Sequence, residues 1–490
     1  MRDIKLNIEG PNSLEKNYIK KNSFSHVTGN QIRLLPFKTN PSGDKFGEDF
    51  KSFQGIVGEL FRVLNNKSQV EVGKNHETLK IELKETIIKN AVGNVDTEHI
   101  DELTHMLSKL FFDEDDGLIK FNLKTLSYMN FINSHKAIKD VARYIFDLFM
   151  KEDFSAEDLK ADDSDENLLN QLMLQSLPEL STAQTISDGR SYHNLFAEIK
   201  QQFSNDFNFL KNNDSLLLKH SEDFFKYYYF HYLSQVMIIF NDFGSSPPKV
   251  RPINFTMDWE TLSESRLSSH TIGWKHLNKY SQSIFAHINT LELLNYVYVD
   301  GSPLRDYHNI KMIYDTLDPM EQQEFKTCLV EVSNFYTNNI TVFDTGKNWE
   351  HCEYLLNMDV YFTKLEDDIL KAIYALWFKI RYQFENSPRS KPYSDYSKWY
   401  THFVKVNYTK NRGRLGYTTV LSQELLLFLT RLCIGTEDKI RLKLLWDRLR
   451  ERGIVFDETS KLEIIKLFEK INLIEKKSDS GDAQYVKSTI

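Results

Sequence analysis

Residues 221–244 read SEDFFKYYYFHYLSQVMIIFNDFG. From Phe224 to Phe240 nearly every position is apolar or aromatic, so no single face of a helix is hydrophobic. A helix that is hydrophobic all round is buried all round. Lys226, His231, Ser234 and Gln235 make it too polar to prefer lipid. The stretch predicts the central helix of a large helical domain. His231 reads as a core histidine rather than a metal ligand. Helical periodicity continues through Thr271 to Val297, Met320 to Asn338 and Tyr354 to Arg381, and a helical core domain is expected over 191–400.

The wider composition agrees. The chain has 490 residues with only 19 Gly and 11 Pro, too few turn residues for a large β protein. The fold class expected is mainly α. The length suggests two to four domains. Cys328, Cys352 and Cys433 are far apart and show no zinc spacing, which fits a reduced, cytoplasmic setting. Met1 to Asn7 is mixed and charged, unlike a signal peptide. No apolar run is long enough to span a membrane, so no membrane role is expected.

Upstream, 1–150 reads as a mostly helical region, with helical spacing over Phe50 to Asn65 and Ile100 to Phe112. Asp113 to Gly117 reads as a surface turn, lacking the ligand pattern of a calcium loop. Residues 151–190 begin with eight acids, from Glu152 to Glu166, followed by Ser and Thr. They read as an acidic linker or mobile segment.

Downstream, Lys379 to Arg414 holds nine Lys or Arg against Glu385 and Asp395. That is +7 in a chain of net charge −8. Tyr382, Phe384, Tyr393, Tyr396, Trp399, Tyr400, Phe403 and Tyr408 are interleaved. Cations beside rings suit a nucleic-acid groove. The alternative is a solvated loop followed by an aromatic helix that packs inward.

The last eighty residues carry a sharper pattern. Leu421 to Leu432 predicts a helix ending at Gly435. KIRL, Lys439 to Leu442, predicts a short strand. Lys443 to Arg452 predicts a second helix, with Leu445, Trp446 and Leu449 on one face. Ser460 and Glu463 resemble a capping box opening a third, with Ile464, Ile465, Phe468 and Ile471 as its buried stripe. Leu473 to Lys477 and Ala483 to Lys487 flank Ser478-Asp479-Ser480-Gly481-Asp482, a hairpin signature. Helix, strand, helix, helix, hairpin is the order of a winged helix, expected over 411–490, with the hairpin held by the KIRL strand. From Glu437 to Ile490 there are twelve basic and eleven acidic residues. That near-neutral balance leaves DNA and protein contact both open, and the adjacent basic stretch favours DNA. Lys466 and Lys470 point away from the apolar stripe. Lys476 and Lys477 end the first wing strand, and Arg412 and Arg414 precede the module. These six are the candidate phosphate contacts.

Motifs for chemistry are missing. DTGKNW (Asp344 to Trp349) lacks the upstream glycine of a phosphate loop. IELK (Ile81 to Lys84) sits in a helical context rather than on a nuclease strand pair. WEHCEY (Trp349 to Tyr354) has no second ligand cluster. No catalytic residue, metal or cofactor is expected.

RLGYTT (Arg414 to Thr419), SQELLLFLTRLCIG (Ser422 to Gly435), KIRLKLLWDRLRERGI (Lys439 to Ile454) and LIEKKSDSGDAQYVK (Leu473 to Lys487) resemble the end of the DNA phosphorothioation-dependent restriction proteins DptG or DndG. DFFKYYYFHYLSQ (Asp223 to Gln235) resembles that family's middle. The resemblance covers about a fifth of the chain. It implies a non-catalytic, DNA-contacting subunit of a phage-defence complex that attacks DNA lacking the sulfur mark, with F and H partner subunits supplying the ATP-dependent functions and double-stranded DNA as target. A pure scaffold whose winged helix binds partner proteins, or a nuclease with an unrecognised site, are the alternatives.

Overall fold

The computed structural model describes the chain except residues 1, 22, 42–51, 69–75, 94–98, 115–116, 130–135, 160–166, 184–190, 263–265, 267, 477–483 and 489–490. The protein is mainly helical, as its composition predicts. In chain order, strand β1 (Ile4–Leu6) is followed by helices α1 (Gln54–Leu64), α2 (His76–Gly93), α3 (Ile100–Phe111), α4 (Lys136–Ile145), α5 (Leu168–Ser176) and α6 (Ala197–Lys211). The 27-residue helix α7 (Asp214–Phe240) comes next, then β2 (Ile253–Met257), α8 (Ile284–Leu294) and β3 (Val297–Val299). Helices α9 (Pro319–Asn339), α10 (Trp349–Met358), α11 (Asp368–Glu385) and α12 (Lys398–Tyr408) complete the body. The end of the chain runs β4 (Thr409–Asn411), β5 (Tyr417–Leu421), α13 (Gln423–Ile434), β6 (Lys439–Arg441), α14 (Leu442–Glu451), β7 (Ile454–Phe456), α15 (Glu458–Lys470), β8 (Ile474–Lys476) and β9 (Gln484–Lys487).

Helix α7 is central because each of its sides meets a different element. Phe224 and Tyr228 pack on Phe203 of α6. Tyr229 meets Phe53, Tyr144 and Phe403. Phe230 stacks on Tyr408 with ring centroids 4.0 Å apart and lies against Phe255 of β2. Burying each such ring contributes about 2 to 3 kcal/mol. His231 is buried, as the sequence suggests, stacked on Tyr227.

One contiguous core runs from Ile4 to Val486, drawing on residues from 1–150, 191–400 and 411–490. A small satellite cluster, centred on Ile87, Leu107 and Met173, joins α2, α3 and α5. Among the described acids of 151–190, Asp158 pairs with Lys211 at 2.9 Å, and Asp153 accepts from Ser204 at 2.9 Å. Strand β1 pairs antiparallel with β3. A four-stranded sheet has the order β7-β2-β5-β4, and β2 lies parallel to both β7 and β5. Its central strand therefore comes from residue 253 onward, while its neighbours come from the last eighty residues.

Candidate nucleic-acid interface

Helix α13 starts where the Ser422 hydroxyl accepts from the Leu425 amide at 3.2 Å, and ends at Gly435, whose φ of +64° only glycine adopts easily. After α14 the chain turns at Gly453, with φ +80°. A Cβ there would stand 2.4 Å from the His231 ring, so only glycine lets α7 and this turn meet.

Helix α15 begins three residues earlier than the Ser460 capping box predicts. Its cap is Asp457, whose Oδ1 accepts from the Ser460 amide at 2.7 Å. Asp457 and Ser460 share the capping spacing with Ser460 and Glu463, and strand β7, ending at Phe456, decides between them. Ser460 instead lies inside the helix, fully buried, donating to Glu260 at 3.0 Å. Arg266 bridges Asp457 at 2.8 Å and Glu260 at 2.7 Å, fastening the start of α15 to the body. Ile464 and Phe468 are buried, Ile465 is half-buried, and Ile471 is exposed.

The closing hairpin is held as its sequence predicts. Strand β9 pairs on one side with β8 and on the other with β6, placing Val486 between Ile474 and Ile440. Lys439 crosses the sheet to Glu475 at 2.8 Å and lies over the Tyr485 ring. The loop 478–482 lies outside the described residues.

Among the six candidate cations, Lys466 and Lys470 share one face of α15, and Lys476 reaches Glu469 of the same helix at 2.7 Å. Lys466 pairs with Glu463 at 2.7 Å. Lys470 and Arg414 are exposed and make no ion pair among the described residues. Lys477 lies outside the described residues. Arg412 is committed to the fold: its guanidinium donates to the carbonyls of Glu260 at 2.6 Å and Met257 at 3.0 Å. Through Glu260 it sits at the start of α15. Lys470 and Lys476 sit at the far end, about 18 Å along the helix. The structure thus brings together Lys466, Lys470 and Lys476, and keeps Arg412 apart from them.

The basic stretch from Lys379 to Arg414 forms no groove of cations and stacking rings. All eight interleaved rings are buried, the largest exposure being 6% at Tyr393. They belong to the core faces of α11, α12 and the short helix Ser390–Tyr396 between them, so the rings pack inward as in the alternative reading, from helices rather than after a solvated loop. Most of the cations are engaged within the chain. Lys379 pairs with Glu353, Arg381 with Glu385 and Lys398 with Asp395. Arg389 donates to His26, Lys405 lies over Trp274 and Tyr417, and Lys410 donates to the Asp258 carbonyl.

The motifs weighed for chemistry have structural roles. Asn348 of DTGKNW caps α10. IELK lies within α2. In WEHCEY, His351 meets the Tyr382 hydroxyl at 2.8 Å, and burial pushes the Cys352 thiol up to about 12. Among the described residues no group of three His, Cys, Asp or Glu is placed to hold a metal ion. All three cysteines are free and buried.

Sequence reasoning missed the buried charges, Glu292 and the Asp206–Arg452 pair among them. Glu292 of α8 accepts from the amides of Gly29, Asn30, Gln31 and Ile32 at 2.7–3.4 Å, tying the N-terminal loop to the core. Burial pushes its carboxyl up to about 7 against those four donors. Asp206 of α6 holds Arg452, at the end of α14, with Nε to Oδ2 at 2.9 Å. The only trace of Glu292 in the sequence is a lone carboxylate in the apolar run IFAHINTLELL. No helix among the described residues is long and apolar enough to cross a membrane. No protein-family model matches the chain, and no curated protein matches it significantly.

Proposed function

We propose that this protein is a non-catalytic subunit of a DNA phosphorothioation-dependent restriction complex, acting in the cytoplasm beside F and H partners. Its C-terminal part is a winged helix that touches duplex DNA. The observation that carries this is the strand order β8-β9-β6 packed on α14 and α15, with Lys466 and Lys470 on one face of α15 and Lys476 paired to Glu469 of the same helix. In winged helices the third helix and the wing are the parts that meet DNA. The start of α15 is fastened to Glu260 and Arg266, so phosphate contact by its second half and the wing is favoured over base reading by its first turn.

Phosphate contacts release counterions, so affinity falls steeply with salt, by a log–log slope of roughly 0.9 per contact on duplex DNA. Fluorescence anisotropy of the full chain on a labelled duplex, repeated over a salt series, tests this. Replacing Lys466, Lys470 and Lys476 together by Ala should weaken binding about equally on every sequence, and flatten the slope by up to about 2.7. Unchanged affinity and slope refute the DNA contact.

A second reading, a scaffold whose winged helix binds protein, is favoured by two observations. Lys439, Lys466 and Lys476 each already face a carboxylate of the same module, and Leu462 is 57% exposed on α15. Loss of co-purification with the products of neighbouring reading frames in a Leu462→Asp variant, with DNA affinity intact, selects it.

A further inference from the structure

Two stretches far apart in the chain carry cations and no acid. Arg266 to Leu291 and Tyr396 to Gln423 together hold eight Lys or Arg and not one Asp or Glu, in a chain of net charge −8. The fold lays them side by side. At one end the Lys405 ammonium of α12 lies over the rings of Trp274 and Tyr417. At the other the Phe285 ring meets Tyr396, with centroids 4.5 Å apart. The helix Lys275–Gln282 therefore runs antiparallel beside α12. Leu277 and Ser281 turn inward from the first helix, and Trp399, Tyr400, Phe403 and Val404 from the second. Lys275 and Lys279 are left exposed on the one, and Lys405 on the other. The paired strands β4 and β5 extend this surface past Lys405, with Lys410 exposed on β4 and Arg414 exposed at the tip between Gly413 and Gly416.

We propose that this face holds the phosphate backbone of duplex DNA, as a contact separate from the wing. Among the described residues, none of Lys275, Lys279, Lys405, Lys410 and Arg414 pairs with a carboxylate side chain. The rings under Lys405 and the Asp258 carbonyl that accepts from Lys410 position those ammonium groups without cancelling their charge. Acids beside the face are engaged within the chain: Asp395 by Lys398, and Glu260 by Arg266. Asp258 faces the Arg412 guanidinium. Lys275 and Lys279, four apart on one helix, repel each other and weaken it slightly. Like charges held together uncompensated cost the fold, and a ligand of dense negative charge offsets that cost. Duplex DNA carries about one charge per 1.7 Å of its axis. An extended acidic peptide reaches at most about one per 3.3 Å. The rings of α12 face the core and leave no stacking platform on this surface, which favours a duplex over a single strand. The inference rests on reading the chain as a DNA-contacting protein, but not on the winged helix.

The test titrates the full chain against a fluorescein-labelled duplex by anisotropy, over a salt series. The variant Lys275→Gln/Lys279→Gln/Arg414→Gln should bind more weakly on every sequence, and its log–log salt slope should flatten by up to about 2.7. A variant with the same charge change in the N-terminal segment, Lys16→Gln/Lys20→Gln/Lys21→Gln, should keep the wild-type slope. Melting curves check that both fold. The variant lacking Lys466, Lys470 and Lys476 separates the two sites. If it binds as wild type while the face variant loses affinity, the wing reading fails and this one stands. If both lose affinity, joining the two sets of substitutions should flatten the slope by up to about 5.4, and both readings stand. The inference is overturned if the wild type does not bind the duplex, if the face variant binds as wild type does, or if the N-terminal variant flattens the slope equally. It is also overturned if a single strand binds more tightly than the duplex. Displacement of the labelled duplex by polyglutamate as readily as by unlabelled duplex of equal charge overturns it too, and marks an acidic protein as the ligand.

Discussion

Replacing Arg452 by Met should destabilise the whole protein far more than a change in the last eighty residues suggests. The guanidinium and the Asp206 carboxylate are 5% and 4% exposed. Asp206 also accepts from the Tyr228 hydroxyl at 2.6 Å, and the Tyr227 hydroxyl donates to the Arg452 carbonyl. Removing one partner of a buried pair leaves the other charged and dry, at a cost of about 3 to 5 kcal/mol. Entropy of unfolding near 2.1 cal/mol/K per residue gives roughly 1 kcal/mol/K for a chain of this size, so the melting point should fall by about 3 to 5 °C. Asp206→Leu alone should cost a similar amount, because it strands Arg452. The double variant Asp206→Leu/Arg452→Met removes both charges and should cost well under the sum, with a coupling of about 2 kcal/mol or more. Urea titrations of the four proteins measure all three quantities. If Arg452→Met stays within about 0.5 kcal/mol of wild type, or the two single costs simply add, the pair does not hold the end of the chain to α6.

Acid should destabilise the fold through its histidines. Burial holds His231 and His287 down to about 3, and His26, facing Arg389, well below its ordinary value. All three are neutral when folded and protonate near 6.5 when unfolded, so stability is full above that pH and falls as pH drops, by about 2 kcal/mol each for His231 and His287 between pH 7 and 5, with His26 acting in the same direction. Glu292 works in the opposite sense. Its raised value favours the folded state as pH drops through 7, offsetting about 2 kcal/mol, so denaturant melts should show a net loss of at least about 2 kcal/mol; a flat profile contradicts it. Phe468→Ala, at a fully buried position, should cost about 3 to 5 kcal/mol in the same melts, and wild-type stability would mean α15 is packed differently. The purified chain should neither bind nor hydrolyse ATP; an ATPase rate that tracks the protein through purification refutes this.

Local pattern made several elements legible. Scarce Gly and Pro, with the all-round apolar run from Phe224 to Phe240, predict a helical protein with a buried central helix. Gly435 marks a helix end because a positive φ there leaves few other choices. KIRL and the two flanks of the last turn cluster are strands in sequence and in structure, and their pairing follows from the need to protect a short hairpin. Tertiary packing decided the rest. Whether the rings from Tyr382 to Tyr408 face a ligand or the core depends on what lies across from them, and α7, α8 and β2 lie there. Whether Asp457 or Ser460 caps α15 depends on where β7 stops, which its parallel pairing with β2 sets. Arg412 reads as a free cation in sequence, yet the carbonyls that claim it lie some 150 residues away. A charge or a ring carries no mark of its partner in the chain around it: short-range pattern specifies elements, and contacts between distant residues specify which side chains remain free to act.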